Sequence, residues 1–415
     1  MQFMQAVIYT FSFLIQVFAY CITGYHFIVS IFAWFPRKEK PFVVEKQHTF
    51  ALIVAAHNEQ SVIKNMVDSL TDLNYDSNLY DIYVIADNCT DKTAEIAREA
   101  GAIALERFND KQRGKGYAMD WAFNEILSGD KEYDAICVFD ADNIAHGEFL
   151  NEINKRLCQG YEAVQGYIET KNPYDTWVTA SYAITFSCMN KIYQTARFYA
   201  GLPNQLNGTG FALKTDIIKR FGWGANCLAE DMEFTMKLLL HHIQVGWAEK
   251  AIVYDEKPLT LSQSWKQRVR WTQGHADVAS RFIPKLAKHF FKEGKLCFID
   301  CIVYLLQPLL MMILAVTTLI GTIQGFYPDT KVWFTFADYG TPLMWTLLYF
   351  GQLAYIPAIL WLEKKLTVKT AVYYIPYLLF TYTWMPIAFI GVAKKNKKEW
   401  FHTQHTRTIS IKEVE

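Results

Sequence analysis

The sequence lacks the marks of several common functional classes. Its 41 Lys and Arg residues balance its 41 Asp and Glu residues, so no excess positive charge is available to attract nucleic acid. It also contains neither a GxGxxG nor a GxxxxGK(S/T) motif, the sequence signatures of Rossmann dinucleotide sites and of P-loops. We therefore expect no nucleic-acid partner and neither of those two nucleotide sites.

Closely spaced cysteine pairs are also missing. The eight cysteines are scattered and include no CxxC pair, so neither a zinc site nor a disulfide framework is indicated. Cys297 and Cys301 have helical spacing within an apolar run. We interpret all eight as reduced residues of the core or the membrane, which favours a cytosolic location for the soluble part.

Charge is absent from long parts of the chain, and these parts mark membrane segments. Residues 6–34 contain no Asp, Glu, Lys or Arg and are followed by Arg37 and Lys38. A cleaved signal peptide is the alternative, but the run is too long and no cleavage pattern follows it. The positive-inside rule predicts a transmembrane helix whose C-terminal end is cytosolic.

Three further apolar stretches, residues 297–326, 341–362 and 368–392, are each long enough to cross about 30 Å of hydrocarbon. Basic segments follow the second and the third. Three crossings would place the last basic segment outside, against the positive-inside rule. Pro376 and Pro386 interrupt the third stretch, so we expect it to bend back or to lie partly at the interface. The alternative is a plain span with the tail outside.

Between the membrane segments, strand-like apolar runs alternate with helical patterns. The predicted strands are residues 50–56, 81–86, 102–105 and 135–139, and the predicted helices begin near Ser61, Asp91 and Tyr117. This βαβα order predicts an α/β fold with a mostly parallel sheet and helices on both faces. Ligands of such sheets bind beyond the carboxyl ends of the strands.

Polar clusters follow three of these strands, at residues 56–59, 87–91 and 140–142. Such residues also terminate strands and cap helices, but three successive clusters favour a site. Asp140 and Asp142 project to the same side of an extended chain. They suit a hard divalent cation that also binds phosphate oxygens, and such a cation neutralises charge on a diphosphate leaving group.

Three other short segments carry candidate site residues. Lys115 lies in an Arg-Gly-Lys-Gly sequence and would add positive charge to a phosphate site, or be an ordinary solvated lysine. Glu230 and Asp231 begin an apparent helix, where acids match the helix dipole or one of them acts as a general base. Residues 207–211 form a glycine-rich turn that a substrate can approach closely.

The chain thus divides into five predicted regions. They are an N-terminal transmembrane helix (1–36), a soluble domain (47–256), interfacial amphipathic helices (257–293), a C-terminal membrane region (294–393) and a basic tail (394–415). The interfacial assignment rests on the mixture of Trp with Lys and Arg in residues 261–271, which is typical of helices at a membrane surface.

Six short motifs occur in a fixed order: VAAHNE, ADNCTD, FDADN, NGTGF, AEDMEF and QRVRW followed by TQG. In this order they resemble the inverting family 2 glycosyltransferases, whose membrane-bound members include cellulose, chitin and hyaluronan synthases. The resemblance covers residues from about 50 to 275 and implies a GT-A fold, a UDP-sugar donor and Mg²⁺ or Mn²⁺ as cofactor.

The resemblance also implies roles for individual residues. Those expected to hold the base and ribose of the nucleotide are Ala56, His57, Glu59 and Asp87. Lys115 is expected to help with uracil or phosphate, Asp140 to contact the nucleoside, and Asp142, together with Asp140, to form the metal site. Asp231, beside Glu230, is expected to be the base. We also expect weak metal affinity in the absence of UDP.

The remaining expected contacts involve the acceptor and the diphosphate. The turn of Gly208, Thr209 and Gly210 should lie beside the acceptor. Gln267, Arg268, Arg270 and Trp271 match a motif that lies at the cytosolic mouth of a transmembrane channel. In the family, its Arg meets the diphosphate and its Trp stacks on the acceptor sugar. An ordinary basic-aromatic interfacial helix would explain the composition of QRVRW but not its place in the series.

The C-terminal tail contains a looser resemblance. Residues 400–407 are similar to the Trp-Gly-Thr-Arg tail of hyaluronan and chitin synthases, which is thought to gate the site, although no Gly follows the Trp. The candidate gate residues are Trp400, Thr403, His405 and Arg407. They require a cytosolic tail, and a disordered basic end is the alternative.

These expectations combine into a function. We predict a multi-pass plasma-membrane enzyme with a cytosolic catalytic domain that polymerises a UDP-sugar, with glucose favoured, into a secreted β-glucan. A growing polysaccharide would be the acceptor. Alternatives are polymers that contain N-acetylglucosamine, such as chitin, poly-N-acetylglucosamine or hyaluronan, and a single transfer to a lipid, as in ceramide glucosyltransferase. A channel or transporter with a degenerate binding domain is a further alternative, which the intact acidic motifs disfavour.

Overall fold

The computed structural model describes residues 2–37, 42–225, 227–327, 333–335, 341–397, 407–409 and 411–413. The strands in this part of the chain are β1 (Phe50–Ala56), β2 (Tyr80–Asp87), β3 (Ile103–Arg107), β4 (Ala135–Asp140), β5 (Ile144–Ala145), β6 (Ala163–Thr170), β7 (Phe211–Lys214) and β8 (Val245–Asp255). They form one sheet with the order β3-β2-β1-β4-β7-β6-β8-β5.

The helices of the same ranges lie around this sheet and beyond it. The helices before residue 260 are α1 (Gln2–Ile31), α2 (Ile63–Thr71), α3 (Thr93–Glu99), α4 (Lys115–Leu127), α5 (Phe149–Cys158), α6 (Trp177–Cys188), α7 (Ala196–Ala200), α8 (Thr215–Phe221) and α9 (Glu230–Leu240). After them come α10 (Leu261–Glu293), α11 (Leu296–Leu305), α12 (Gln307–Phe326), α13 (Pro342–Leu362), α14 (Val368–Tyr382) and α15 (Trp384–Ala393).

The prediction of an α/β fold with a mostly parallel sheet is confirmed. β1 pairs in parallel with both β2 and β4, and β2 pairs in parallel with β3. β7 is antiparallel to β4 and β6, and β6 is parallel to β8. The carboxyl ends of β1, β2 and β4 therefore meet at one edge, where the polar clusters lie.

Strand β1 shows why the domain has a layer on each face of the sheet. Its side chains alternate between two buried clusters, with Leu52 and Val54 on one face and Ala51 and Ile53 on the other. All four are fully buried, and a strand buried on both faces reads as a continuous apolar run. Helix α2 covers the first face and helix α4 the second.

Helix α4 begins earlier than its apolar pattern predicts. It starts at Lys115, and its preceding residue, Gly114, has φ +114°. Lys115 is therefore the first residue of a helix rather than part of a loop. The glycine allows the chain to enter the helix from a conformation that other residues rarely adopt.

The predicted stretch 297–326 is not one span. It divides at Leu306 into α11 and α12, and only α12 is long and apolar enough to cross a membrane. α11 packs on α10 through Phe298 and Cys301. Its Asp300 is buried in an ion pair with Arg197 and accepts a hydrogen bond of 2.6 Å from the Tyr25 hydroxyl. The first part of this apolar run, α11, therefore packs against α10 and the soluble domain.

Four helical segments of the described chain are long and apolar enough to cross a membrane: Phe3–Trp34, Gln307–Phe326, Pro342–Leu362 and Val368–Ala393. The last contains a break at Thr383, between α14 and α15. Helices that could cross a membrane are thus present toward both ends of the described chain, at the apolar runs noted in the sequence.

Candidate active site

A cavity of about 810 Å³ opens at the carboxyl edge of the sheet. At one end it is lined by residues that follow β1, β2 and β4, and at the other by helices α10, α12 and α15. Most of the predicted nucleotide and acceptor residues therefore line one cavity between the sheet and the helices.

At the sheet end, the residues after β1 and β2 support one another. The Asp87 carboxylate forms a buried ion pair of 2.5 Å with Arg107. The backbone carbonyl of Asp87 lies 2.7 Å from Nδ1 of His57. Asn58 and Asn88 adopt left-handed backbone conformations with φ +57° and +51°. Such conformations are uncommon outside glycine and are often found at functional sites.

The acids at the ends of β4 and β8 form a cluster. Each of Asp140, Asp142 and Asp255 offers a carboxylate oxygen within 4.8 Å of the others. Asn143 ties the last two together, since its side-chain amide donates to Asp142 at 3.2 Å and to Asp255 at 2.9 Å. Convergent carboxylates are the donor set of hard cations, so these residues fit Mg²⁺ or Mn²⁺.

Lys115 reaches into this cluster from the start of α4. Its ammonium group pairs with Asp140 and donates to the backbone carbonyl of Gly208 at 2.6 Å. Burial lowers the pKa of Lys115, but the charges of Asp140 and Glu230 outweigh burial and raise it overall. The ammonium group therefore stays charged at the predicted diphosphate position.

The glycine-rich turn is fixed from beneath by two buried polar residues. Gln165 donates to the Thr209 carbonyl at 2.9 Å and accepts from the Asn207 backbone N–H at 2.8 Å. The Thr209 hydroxyl donates to Asn143 and accepts from the backbone N–H of Asp140 at 3.1 Å. The turn is thus coupled to the end of β4, where the acids lie.

Glu230 and Asp231 lie in the first helical turn of α9, and Asp231 lies beside Gly208 of the glycine-rich turn. Burial and the neighbouring charge of Glu230 raise the pKa of Asp231 to about 7, and burial raises the pKa of Glu230 as well. A Cβ at Gly208, where φ is +81°, would lie 3.4 Å from the Asp231 carboxylate. The glycine therefore leaves space beside a carboxylate with the pKa of a general base.

Helix α10 closes the other side of the cavity. Gln267, Arg270 and Trp271 line it, and the Tyr182 hydroxyl donates to Gln267 at 2.9 Å. Trp271 packs edge-on against Tyr182, with ring centroids 6.2 Å apart. An aromatic ring and a guanidinium group are thus both presented to the space in front of Asp231.

The close approach of α10 to α9 depends on Gly274. A Cβ there would lie 2.6 Å from the Ala229 Cβ and 2.7 Å from its backbone nitrogen. Arg281 also makes a bidentate ion pair with Glu233 on α9, at 2.8 and 3.0 Å. These contacts place Trp271, one turn before Gly274, beside the start of α9.

We expect Gly274→Ala to lower kcat/KM about 10- to 100-fold, because it displaces α10 from the residue that precedes Glu230 and Asp231. Gly351→Ala on α13 is the matched control, since a Cβ there meets no atom within 4 Å. Initial rates of the two purified variants test the prediction. Equal rates for wild type and Gly274→Ala would contradict it.

The structure brings most predicted site residues together. The predicted residues that line the cavity are Ala56, His57, Glu59, Asp87, Lys115, Asp140, Asp142, Gly208, Thr209, Glu230, Asp231, Gln267, Arg270 and Trp271. Gly210, the last residue of the turn, faces β4 instead, and its backbone N–H donates to the Val138 carbonyl at 2.9 Å. Arg268 is fully buried, donates to the Thr383 hydroxyl at 2.7 Å and packs on Phe380, so its position is that of a packing residue between α10 and α14.

The gate residues are only partly within the described ranges. Trp400, Thr403 and His405 lie outside them. Arg407 is described, and its guanidinium lies 3.2 Å from Asp175 while its backbone N–H donates to Glu256 at 3.2 Å. The end of the tail therefore contacts the residue next to Asp255 of the acid cluster.

Sequence reasoning missed Asp255. It ends the apolar run of β8 much as Asp140 ends that of β4, so the same strand-end pattern could have found it. The buried residues Gln165 and Asn143, which hold the turn and the acids, carry no such signal. Their importance depends on contacts between residues far apart in the chain.

Comparison with known proteins adds to this geometry. The sequence model described as "Glycosyltransferase like family 2" matches residues 47–274, more than half of the 415-residue chain. The chain belongs to glycosyltransferase family 2. It is therefore an enzyme that transfers a sugar, and the family predicted from the six motifs is confirmed.

This glycosyltransferase is similar to three curated relatives. "Probable glycosyltransferase YdaM" of Bacillus subtilis is 25% identical and spans 85% of this chain and 86% of its own. Poly-beta-1,6-N-acetyl-D-glucosamine synthase of Staphylococcus epidermidis is 27% identical over 62% of this chain and 63% of its own. Beta-monoglucosyldiacylglycerol synthase of Nostoc is 27% identical over 61% of this chain and 54% of its own. The last two matches thus cover less than two thirds of the relatives.

A solved structure supports the fold. The mannosyltransferase PcManGT from Pyrobaculum calidifontis, solved with GDP-Man and Mn²⁺, matches with a TM-score of 0.58 over 92% of this chain and 99% of its own. The two sequences are 16% identical, so the likeness shows the fold alone. The catalytic domain of this glycosyltransferase has the predicted GT-A fold, flanked by apolar helices.

Proposed function

We propose that this enzyme transfers a hexose from a UDP-sugar, with inversion, to the end of a growing polysaccharide at the membrane. The observation that carries the proposal is the single cavity that joins the acid cluster, the Asp231 carboxylate and the α10 residues Arg270 and Trp271. Because these residues line one cavity, the proposed donor, base and acceptor positions are adjacent. Glucose is the proposed hexose and N-acetylglucosamine the alternative.

The side chains suggest how transfer proceeds. The residues after β1 and β2 hold the nucleoside, and Lys115 and Arg270 stabilise the diphosphate as it leaves. Trp271 stacks on the apolar face of the acceptor sugar. Asp231 removes the proton from the acceptor hydroxyl, whose oxygen attacks the anomeric carbon from the face opposite UDP. An α-linked donor thereby gives a β-linked product.

Asp142, Asp140 and Asp255 would hold the Mg²⁺ or Mn²⁺ ion. When bound, the ion supplies positive charge to the diphosphate of the donor. Asp142 is 4% exposed and belongs to the cluster tied together by Asn143. The similarity to PcManGT, which was solved with Mn²⁺, supports this assignment.

The membrane end of the cavity supports a growing chain as acceptor. Besides Trp271, the cavity is lined by Pro308 and Met311 in the first turns of α12 and by Trp384 on α15. A product released in this direction moves toward the membrane helices. The poly-N-acetylglucosamine synthases among the relatives also support polymer formation.

A glycolipid synthase is the second candidate. The same membrane end is lined by Met311, Phe380 and Trp384, and an apolar lining beside membrane helices also suits a lipid acceptor. The glucosyldiacylglycerol synthase among the relatives supports this candidate. The two functions differ in the number of sugars added to each acceptor.

Contacts between the membrane segments and the domain support a tail on the same side of the membrane as the catalytic domain, and the positive-inside rule favours the cytosol for that side. The loop between α13 and α14 rests on the domain, where Lys365 pairs with Glu169. Phe334, between α12 and α13, lies farther along α1, where its backbone N–H donates to the Ser12 hydroxyl at 2.8 Å. α12 and α13 thus form an out-and-back pair, and we propose the plasma membrane as the location.

The segment of α14 and α15 is proposed to lie at the interface rather than to cross the membrane. Near the start of α14, the Thr370 hydroxyl lies 3.1 Å from the Tyr174 hydroxyl of the domain, and α15 is followed by Lys394, whose carbonyl accepts from Gln273 of α10 at 3.1 Å. Contacts at both ends of the segment keep it beside the domain. The tail then stays cytosolic, as the proposed gate around Arg407 requires.

Product analysis tests the proposed function. The purified enzyme is incubated with Mn²⁺ and a panel of UDP- and GDP-sugars, and the product is digested with linkage-specific glycosidases. We expect a β-linked polymer from UDP-glucose. A lipid carrying one sugar would establish the second candidate, and no transfer from any donor would overturn both.

The rate should depend on pH near neutrality. Asp231 must be ionised to accept a proton, and its pKa is raised to about 7 by burial and by Glu230. We therefore expect kcat/KM to fall about tenfold per pH unit below pH ~7, rather than below pH ~4 as for an ordinary Asp. A profile that stays flat from pH 5 to 8 would contradict this assignment.

A further inference from the structure

Two lysines are buried beneath the acid cluster, and the mechanism above does not use them. Lys171 follows β6 and Lys257 follows β8, and their side chains are 1% and 2% exposed. A fully buried lysine is rare and requires a partner that offsets the loss of hydration. The groups that contact these two lysines therefore indicate the role of the two positive charges.

Lys257 is held against one of the proposed metal ligands. Its ammonium group forms an ion pair with Asp255 and lies 3.4 Å from the centre of the Phe186 ring. Its backbone N–H donates to Asn172 at 2.8 Å, which fixes the residue after the strand. The ammonium group thus occupies one side of the carboxylate that Asp255 offers to the cluster.

Lys171 supports the cluster from another direction. Its ammonium group donates to the backbone carbonyl of Asp142 at 3.0 Å and lies 3.8 Å from the Glu256 carboxylate. Lys171 therefore supplies positive charge directly beside Asp142.

The charges nearly balance. Four carboxylates belong to the region, those of Asp140, Asp142, Asp255 and Glu256, and three ammonium groups contact them, those of Lys115, Lys171 and Lys257. Within this set of seven groups, four negative charges against three positive charges leave one net negative charge. A divalent cation alone would make the set net positive, whereas a cation that arrives with a diphosphate would not.

We propose that Lys257 is an internal counter-cation that competes with the divalent metal for Asp255. In the absence of nucleotide, the ion pair between Lys257 and Asp255 disfavours metal binding. The diphosphate of the donor adds negative charge, so the metal can then bind without leaving the site with a net positive charge. The inference rests on the proposed function and adds an order of binding, in which the metal binds tightly only when the nucleotide is present.

The test measures Mn²⁺ binding to the full-length enzyme in detergent, without any sugar donor. Free Mn²⁺ is followed by electron paramagnetic resonance while wild type, Lys257→Met and Lys257→Arg are titrated, with and without UDP. We expect Lys257→Met to bind Mn²⁺ at least about tenfold more tightly than wild type without UDP. With UDP the two should differ by less than about threefold, and Lys257→Arg should behave like wild type.

Lys46→Met is the matched control. Lys46 also pairs with an aspartate, Asp134 at 2.9 Å, but it is 60% exposed and lies at the opposite end of β4. Its Mn²⁺ affinity should equal that of wild type. If Lys257→Met does not fold, Lys257→Gln keeps a hydrogen-bond donor for Asp255 while removing the charge, and the same tightening is expected.

Two results would overturn the inference. One is an unchanged Mn²⁺ affinity in a folded, charge-free Lys257 variant, and the other is tight Mn²⁺ binding by wild type without nucleotide. Neither measurement requires catalysis. Failure of wild type to transfer any sugar would instead overturn the proposed function, so the two failures are distinguishable.

Discussion

Asp231→Asn should reduce sugar transfer roughly a thousandfold while leaving UDP affinity nearly unchanged. The substitution keeps the size of the side chain and the hydrogen bond that its Oδ1 accepts from the Met232 backbone N–H at 2.8 Å. It removes the group that we propose takes the proton from the acceptor. Transfer rates from radiolabelled UDP-sugar and UDP binding by calorimetry measure the two effects separately.

Two further variants sharpen this test. Glu230→Gln changes the neighbouring acid, which also has a raised pKa, and should lower the rate less than Asp231→Asn does. Asp68→Asn is the control, because Asp68 lies on α2 in an exposed pair with Lys64 and should have wild-type rates. Substantial transfer by Asp231→Asn would remove this residue from the role of base.

Asp142→Asn should also reduce transfer by about a thousandfold, but for a different reason. Asp142 is the most buried of the three clustered carboxylates, and its loss removes an anionic ligand for a hard cation. A thousandfold loss corresponds to about 4 kcal/mol of transition-state stabilisation. Unlike Asp231→Asn, this variant should also lose the increase in UDP affinity that we expect Mn²⁺ to produce in wild type.

Calorimetric titrations of UDP with Mn²⁺ and with EDTA separate the two cases. In wild type and Asp231→Asn, we expect UDP affinity to fall when the metal is removed. In Asp142→Asn, the two titrations should coincide. Asp216→Asn, an exposed substitution on α8, should behave like wild type. A Mn²⁺ response that persists in Asp142→Asn would show that other residues hold the ion.

Much of the site was predictable because its residues follow directly on strands. Asp87 and Asp140 end apolar runs, and parallel strands bring their carboxyl ends to one edge of the sheet. Asp231 and Trp271 were predictable only as members of an ordered series of motifs. Asp255 followed the same strand-end rule as Asp140 and was overlooked because its run is interrupted by Glu249 and Lys250.

Other features depend on packing that no local pattern records. Arg268 and Arg270 are two residues apart in QRVRW, yet only Arg270 lines the cavity, because α10 turns Arg268 toward Phe380 and Thr383. Asp300 is the only charged residue of the run 297–326. The break between α11 and α12 directly precedes Pro308, in the first turn of α12, whereas the ion pair of Asp300 with Arg197, which holds α11 on the domain, depends on tertiary contact.

The family, the GT-A sheet, the acids at its edge and the apolar helices at both ends were all predictable from the residues. These features depend on apolar periodicity and on side chains whose chemistry is nearly independent of context. The folded chain was needed to show that Lys257 and Lys171 lie beneath the acids, that Asp255 joins them, and that Gly274 lets α10 approach the start of α9. Each of these is a contact between distant segments, and its energy depends on burial and on the neighbouring charges.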